Sequence, residues 1–532
     1  MTGIILALYS EVDMLGMENL EFKKPEETKD NPPEIYMEAP KEVEQIIKKM
    51  EEESFEAYVV GGCVRDFLCG KKPNDWDVTT DAKPKKIRKI FPKSFYENKF
   101  GTVTAQTQSQ DPTLKEIEIT TFRIEEKYTD MRHPDEIKFT KILEEDLKRR
   151  DFTVNAMALK KESGRWKVID YFGGQQDLKD KIIRAVGNPE ERFKEDALRL
   201  MRAIRFATTL NQSKLGSEQA LGWQIEPKTF TAIKENSGLL NFISKERVRD
   251  ELSKIIMSKN AAEGIELLRK TELLKYIIPE ILEGYGIGQN KHHIYEVYEH
   301  SLRSLNYAAK EGFSQTVRIA ALFHDIGKPR TKRGEGPDST FYGHEVAGAK
   351  MTLKILERLR FSKKEIEKIA KLVRYHLFYY NTDEVGESSV RRLIRQVGPE
   401  NMGELLQVRM ADRIGSGVPK AEPYKLRHLK YIIEKVSRDP ISVKMLKVSG
   451  NDIMEVLGIK PGPKIGMVLD IMLGEVLENP EKNEAEYLRK KIKDLGKFSE
   501  EDLKTMSEKA RSAREKLETK KDEMTKKKYW LT

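Results

Sequence analysis

Apolar residues at Val43, Ile46, Ile47 and Met50 keep the i, i+3, i+4, i+7 spacing of a helix with one buried face, so Lys41 opens an amphipathic helix. The period then changes. Ala57-Tyr58-Val59-Val60 is a short apolar run of β-formers; it breaks at Gly61-Gly62 and resumes as a helix-like Val64-Arg65-Asp66-Phe67-Leu68. Alternation returns in Thr102 to Gln106 and in Lys115 to Phe122, which predicts two or three further strands. Residues 41–160 therefore read as a small mixed sheet with flanking helices. Beyond about residue 175 strands nearly vanish, and Asn188 to Thr209 and Lys245 to Arg269 carry helical periodicity. Proline and glycine punctuation at Pro279 to Gly288, Gly415 to Pro423 and Pro461 to Gly466 divides this remainder into helical modules. The predicted fold class is α+β: a small mixed sheet first, an all-α remainder after it.

At 532 residues the chain exceeds one compact core, and several domains are expected. Charged residues make up 34% of it and no apolar run approaches the ~18 residues of a membrane span, so the expectation is a soluble protein with no membrane partner. Met1 to Gly16 contains a short apolar stretch without a basic start, which is not read as a signal peptide, and Met14 and Met17 are alternative starts. Cys63 and Cys69 are the two cysteines, and no structural disulfide is expected between them; a cytoplasmic location follows. A net charge of +9 suits a polyanionic partner, with nucleic acid the leading candidate. Residues 18–40 look like a polar leader, and the segment from Ser499, ending in Lys526-Lys527-Lys528, like a solvated helix with a frayed tail.

The candidate chemistry begins where the first strand breaks. Gly61-Gly62 at a helix start can offer bare backbone N–H groups to a triphosphate, with Arg65 beside it. In Asp75-Trp76-Asp77 the two acids share one face of a strand while Trp76 and Val78 take the other. Two such carboxylates can hold a divalent metal, most naturally Mg²⁺. A glycine turn beside a surface Asp pair explains either half alone equally well. Further along, in Arg149-Arg150-Asp151 an arginine can pair with phosphate oxygens and an aspartate can accept from a ribose hydroxyl, with Asn155 orienting the loop or the sugar. The competing reading is a charged helix start. Asp196, Arg199, Arg202 and Arg205 recur every three residues, so successive members are helical neighbours, and the arginines can form an anion site.

Taken in order, Gly-Gly-x-Val-Arg-Asp, Asp-x-Asp, Leu147 to Ala156, Asp170-Tyr171-Phe172-Gly173-Gly174 and Glu195 to Phe206 closely resemble the bacterial, class II branch of tRNA nucleotidyltransferases. That branch includes CCA-adding enzymes and related poly(A) polymerases, and the likeness runs over about residues 41–270. The resemblance implies a head of the polymerase-β nucleotidyltransferase type, followed by helical neck, body and tail regions that bind the base and the tRNA. Asp75 and Asp77 would bind Mg²⁺, Gly61, Gly62 and Arg65 would hold the triphosphate, and Glu118 would be a third acidic group near the metal. An exposed position on an alternating strand also explains Glu118. Asp196 and Arg199 would read the Watson–Crick edge of CTP or ATP; an ordinary surface ion pair is the alternative. Glu126 to Pro134 resembles the flexible loop of enzymes that add the whole CCA rather than CC alone.

Downstream, His300, His324-Asp325, His344, His376 and Asp412 occur in an order that resembles the HD phosphohydrolase superfamily, and they include four of the eight histidines. Imidazole and carboxylate together suit one or two transition metals, whose bound water would attack a phosphoester. An HD fold kept for tRNA contact without catalysis is the other reading. His293, in Lys291-His292-His293, is left out as part of a surface pair. The segment Ser449 to Gly466 resembles the C-terminal RNA-binding region of such proteins. The expected organisation is thus a leader at 1–40, a head at 41–175, neck and body at 176–285, an HD domain at 286–420, an RNA-binding region at 421–498 and a charged tail at 499–532. The expected activity is template-independent CCA addition to tRNA from CTP and ATP, with an HD phosphohydrolase activity in addition. A poly(A) polymerase, a phosphohydrolase with a vestigial head, and a tRNA-binding protein without chemistry are the alternatives.

Overall fold

The computed structural model describes residues 39–96, 101–126, 136–162, 164–210, 222–290, 294–382, 384–437 and 443–531. The proposed leader, most of the flexible-loop segment and His293 lie outside them. The described residues form two compact units, divided near Lys179.

The first unit is built on a seven-stranded mixed sheet. Its strands are β1 (Ala57–Val60), β2 (Asp77–Thr80), β3 (Ser94–Tyr96), β4 (Thr102–Gln106) and β5 (Glu116–Thr121). After a two-stranded ribbon, β6 (Arg123–Glu126) and β7 (Glu136–Phe139), it is completed by β8 (Met157–Glu162) and β9 (Arg165–Asp170). The spatial order is β3-β4-β5-β2-β1-β8-β9; β2 and β5 run parallel, whereas β1 is antiparallel to both β2 and β8. All four residues of β1 are buried because both faces are covered. Ala57 and Val59 join the core made by Val43, Ile46, Ile47 and Met50 of the predicted helix, now Lys41–Glu52, with Trp76, Val78, Ile117 and Ile119. Tyr58 and Val60 point to the other face and pack with Phe122, Leu143, Leu147 and Ala158. That second face also carries the side chains of Asp77, Thr79 and Glu118, because strand residues alternate. The hairpin of β8 and β9 was not expected, since Lys160, Lys161, Glu162 and Lys167 hide its alternation. Asp170 is a turn residue: its carboxylate accepts the N–H groups of Phe172, Gly174 and Gln175 and so starts helix Gly174–Asp180.

Among the described residues the second unit is helical apart from a two-stranded pair, Ile182–Ile183 with Gln224–Ile225, and one isolated bridge between Arg333 and Thr340. The helix expected over Asn188 to Thr209 is two helices, Pro189–Glu195 and Leu198–Thr209, with Asp196 extended between them (φ −135°, ψ 103°). Asp196 is therefore not on one helical row with Arg199, Arg202 and Arg205. Its Oδ1 instead accepts the N–H of Leu198, the first residue of the second helix, at 3.0 Å. The Lys245 to Arg269 stretch is likewise split, into Lys245–Met257 and Ala261–Lys270.

Two expectations about the region beyond residue 420 change. Helix Tyr424–Ser437 packs its Leu426, Leu429 and Tyr431 against Val390 and Leu406 rather than against the segment that follows it. The charged tail is a docked 29-residue helix, Glu500–Lys528. Leu503 sits in a core with Val468, Met472, Leu488 and Ile492, while Tyr529 and Leu531, just past its other end, pack on the Leu426 to Ile432 cluster. Glu434 accepts from both Lys528 Nζ and Tyr529 Oη at 2.8 Å. Mixed charge along a helix hid this because only a narrow stripe of it is buried.

Candidate active site and HD centre

In the first unit Gly61 turns the chain with φ +86°, a conformation that L side chains rarely adopt. A Cβ there would lie 3.0 Å from Arg150 Nη1 and 3.5 Å from Asp77 Oδ2, so the bare glycine lets these two groups meet beside the turn. Strand β2 begins at Asp77; Asp75 lies in the bend just before it, and Trp76 between them is buried in the opposite core. Parallel pairing sets Asp77 next to Glu118 on β5. Burial pushes the Asp77 carboxyl up to about 7, Asp75 and Glu118 push the same way, and the Arg150 guanidinium pulls against them. A buried carboxylate whose ionisation is opposed by two neighbouring acids, all offering oxygen donors, fits a hard divalent cation.

The neighbouring motif residues are organised around Asn155. Arg65 Nη1 donates to Asn155 Oδ1 at 2.6 Å, and its Nε and Nη2 donate to Asp66. Asn155 Nδ2 in turn donates to Asp151 Oδ1, which also accepts the N–H of Phe152. Arg65, Asp151 and Asn155 are all buried, so they form a fixed polar cluster rather than loose surface groups. Gly62, the first residue of the short helix, lies over the Arg65 guanidinium.

In the second unit Asp196 Oδ2 accepts from Arg247 Nη2 at 2.9 Å, and Arg199 Nη1 donates to Glu195 Oε2 at 2.7 Å. Asp196 is thus held by a partner that no motif announced, and Arg199 by the first residue of its own motif. Arg205 pairs with Glu251 at 2.7 Å, and both Arg202 and Arg205 lie over the Phe206 ring. Arg247 was missed because a single arginine in a charged amphipathic helix carries no spacing signal.

The six HD candidates converge, and all are buried. Gly327 allows the approach: a Cβ there would lie 2.2 Å from the carbonyl oxygen of His344. Nδ1 of His324, His344 and His376 each lies 2.7 to 2.8 Å from a backbone carbonyl, that of Ala321, Phe341 and Val373 respectively. Those Nδ1 atoms therefore carry the proton and leave Nε2 a lone pair aimed inward. Nε2 of His300 and of His324 are 2.8 Å apart, so a proton on His300 Nε2 bonds the pair and its loss leaves two lone pairs facing one point. The two oxygens of Asp325 face different ligands: Oδ2 is 3.2 Å from Nε2 of both His300 and His324, and Oδ1 is 3.4 Å and 3.6 Å from Nε2 of His344 and His376. Asp412 Oδ1 completes the first group, 3.3 Å from His300 Nε2, and Arg409 donates to its Oδ2. Burial opposes a charge on Asp325, but His324 and Lys328 hold it well below the carboxylate range. The donor set of imidazole and carboxylate fits divalent transition metals. A cavity of about 700 Å³ opens on this centre, lined among others by Lys328, Tyr342, Arg409 and Arg413.

Comparison with known proteins bears on the same regions. The poly(A) polymerase head-domain model matches residues 57–184, the model of a probable RNA- and SrmB-binding site of polymerase A matches 222–284, and the HD-domain model matches 297–415. A CCA-adding enzyme of Ligilactobacillus salivarius is 34% identical over 452 residues, which cover 85% of this chain and 95% of that protein. The chain belongs to the tRNA nucleotidyltransferase and poly(A) polymerase family. Within this nucleotidyltransferase family it also resembles an A-adding tRNA nucleotidyltransferase of Deinococcus radiodurans, at 35% identity over 63% of this chain and 76% of that one. The crystal structure of the Bacillus stearothermophilus CCA-adding enzyme in complex with CTP superposes with a TM-score of 0.52 at 27% identity, covering 86% of this chain and 98% of the other. The α+β head with a helical remainder is therefore the family's architecture, and divalent metals are what nucleotidyltransferase and HD domains use. No helix among the described residues is long and apolar enough to cross a membrane.

Proposed function

We propose that this protein adds CCA to the 3′ end of tRNA, without a nucleic-acid template, from CTP and ATP and with release of pyrophosphate. The observation that carries this reading is Asp77 set beside the Gly61 turn, paired across the sheet with Glu118 and within the field of Asp75, in a chain that aligns with 95% of a CCA-adding enzyme. Asp75 and Asp77 would hold divalent metal, Mg²⁺ by the hardness of their oxygens, with Glu118 as a third carboxylate nearby. A metal held there would supply acidification of the primer hydroxyl and neutralise charge on the triphosphate. Arg150, facing Asp77, supplies donors to the phosphate oxygens, and the Gly61-Gly62 backbone lies beside them. Arg65 fixes Asn155, which fixes Asp151 where it can accept from a ribose hydroxyl. Asp196 and Arg199 offer acceptor and donors to the base edge, with Arg202 and Arg205 adding positive charge along the same helix.

The HD centre is proposed as a phosphohydrolase site in which Asp325, with one oxygen toward each group of histidines, would help to hold two metal ions. His300, His324 and Asp412 would complete one position, and His344 and His376 the other. Lys328, Arg409 and Arg413 give its cavity the charge a phosphoester needs. A cytoplasmic location goes with a tRNA substrate.

The test is incubation with a tRNA transcript that lacks its 3′ CCA, Mg²⁺, and CTP, ATP or both, with products resolved at single-nucleotide length. Three added residues ending in A, lost in Asp77→Ala, are expected. The A-adding relative gives a second reading specific support; extension of only a CC-ended tRNA, by one A, would establish it. A long ladder with ATP alone would mark a poly(A) polymerase instead.

A further inference from the structure

Asp146, in helix Leu143–Lys148, is fully buried and belongs to none of the groups described so far. Its carboxylate nevertheless connects three of the elements around the candidate active site. Oδ2 accepts from the hydroxyl of Thr79 at 3.2 Å, and Thr79 stands two residues beyond Asp77 on β2, on the same face. Oδ1 accepts the Nε–H of Arg149 at 2.9 Å and the backbone N–H of Arg123 at 3.3 Å, the first residue of the β6–β7 ribbon. Arg150 Nη2 reaches Oδ2 at 3.5 Å while its Nη1 faces the turn at Gly61. A second bond closes the circuit, since Arg149 Nη1 also donates to Glu125 Oε1 at 3.0 Å, and Glu125 is held by Arg123.

We propose that Asp146 is a positioning residue for nucleotide transfer, a buried carboxylate that fixes the Arg150 guanidinium beside Asp77 and locks it to the base of the β6–β7 ribbon. The proposal rests on the reading of Asp77 and Arg150 as parts of the transferase site. Charge explains why the anchor is an acid. Two guanidinium groups, Arg149 and Arg150, converge on one buried carboxylate, so the cluster keeps a net positive charge, and Arg150 is the member aimed at the metal-binding face. Burial opposes the ionised form of Asp146, yet the two arginines hold its carboxyl below the ordinary range, so it stays an anion at neutral pH. Geometry explains why the anchor matters: a free arginine side chain samples many rotamers, and one tied at one end to a buried oxygen presents the other end at a fixed place. The same oxygen holds Thr79, so the arginine and the metal-binding strand share a reference point.

The experiment compares Asp146→Asn, Arg150→Ala and the double variant in single-nucleotide addition to tRNA, with kcat and KM read separately and the melting temperature recorded. Asp146→Asn is expected to lower kcat by ~10-fold to ~100-fold, the cost of a misplaced catalytic group, with the KM for tRNA unchanged. The double variant should lose no more than Arg150→Ala alone, because Asp146 acts through that arginine. Additive losses, or a folded Asp146→Asn with the parent kcat, would overturn the proposal. Should Asp146→Asn not fold, Thr79→Val decides: it removes a donor to Asp146 at nearly constant volume, and a several-fold fall in kcat is expected, the parent value being the contrary result. Asp77→Ala tests the underlying reading separately, since transfer that survives it would remove the site itself whatever Asp146 does.

Discussion

Arg247 Nη2 lies 2.9 Å from Asp196 Oδ2, and the two residues are 51 positions apart in the chain. This bond leaves Asp196 one oxygen committed to Arg247 and the other to the N–H of Leu198. An aspartate held at both oxygens presents a defined edge, which the proposed reading of the base would use. Arg247→Met, which keeps the stem and removes the donors, is expected to cut kcat/KM for CTP and ATP by roughly 10-fold and to raise incorporation of the wrong nucleotide. Single-turnover addition with each of the four triphosphates checks this, and unchanged discrimination would count against it.

The raised carboxyl of Asp77 has a consequence in the metal-free protein. Its folded value of about 7 exceeds the ~4 of an unfolded aspartate, so between those values the folded state holds the proton that the unfolded state gives up. Stability should therefore be greatest below ~4, decline as pH rises toward ~7 and be flat in this respect above it. Melting in EDTA across that range should show the decline, and Asp77→Asn should flatten it. The proton also competes with the cation, so Mg²⁺ affinity should rise with pH over the same interval.

Glu118→Gln separates a metal-facing carboxylate from an exposed strand residue. As a member of the acidic group it should lower kcat by ~10-fold or more and shift the Mg²⁺ midpoint upward, whereas a surface residue would leave both unchanged.

In the HD centre, the two-sided contacts of Asp325 predict how metal is lost. The parent protein should carry about two metal equivalents per chain at this centre. His376→Ala should retain about one of them, and Asp325→Asn should lose both, with nucleotide addition intact in each. Elemental analysis of each variant, alongside hydrolysis of a phosphoester probe, provides the readout; a single equivalent in the parent would contradict this role of Asp325.

Much of this was legible in the sequence where one physical signal dominated. The Lys41–Glu52 helix followed from four apolar residues at helical spacing, and all four are buried. Alternation placed Trp76 and Val78 in the core opposite Asp77. The order of histidines and aspartates brought the six HD residues together because each sits on a helix or just past a helix end directed toward the same point. Legibility failed where a tertiary contact overrode local pattern. Periodicity runs straight through Asp196, yet the chain is extended there, with its carboxylate bonded to the N–H of Leu198 and to Arg247. Asp146 stands among Glu144, Glu145 and Lys148, and in sequence it is one more charge on a short helix; only the fold shows that it faces inward beneath Thr79. In the β8–β9 hairpin Lys160, Lys161 and Glu162 interrupt the apolar start of β8, so the short alternation of Trp166 and Val168 in the edge strand β9 stands alone between charges.

Tyr529 meets Glu434 across 95 positions of chain. A cluster that includes Val390, Leu406 and Tyr431 thus borrows part of its cover from residues made long after it. During synthesis the head can close on itself early, because all its strands lie before residue 171. The 424–437 helix has no such independence: until the ribosome has delivered residues 522–531 its outer side stays wet, and this part of the molecule must wait for the rest before it can settle.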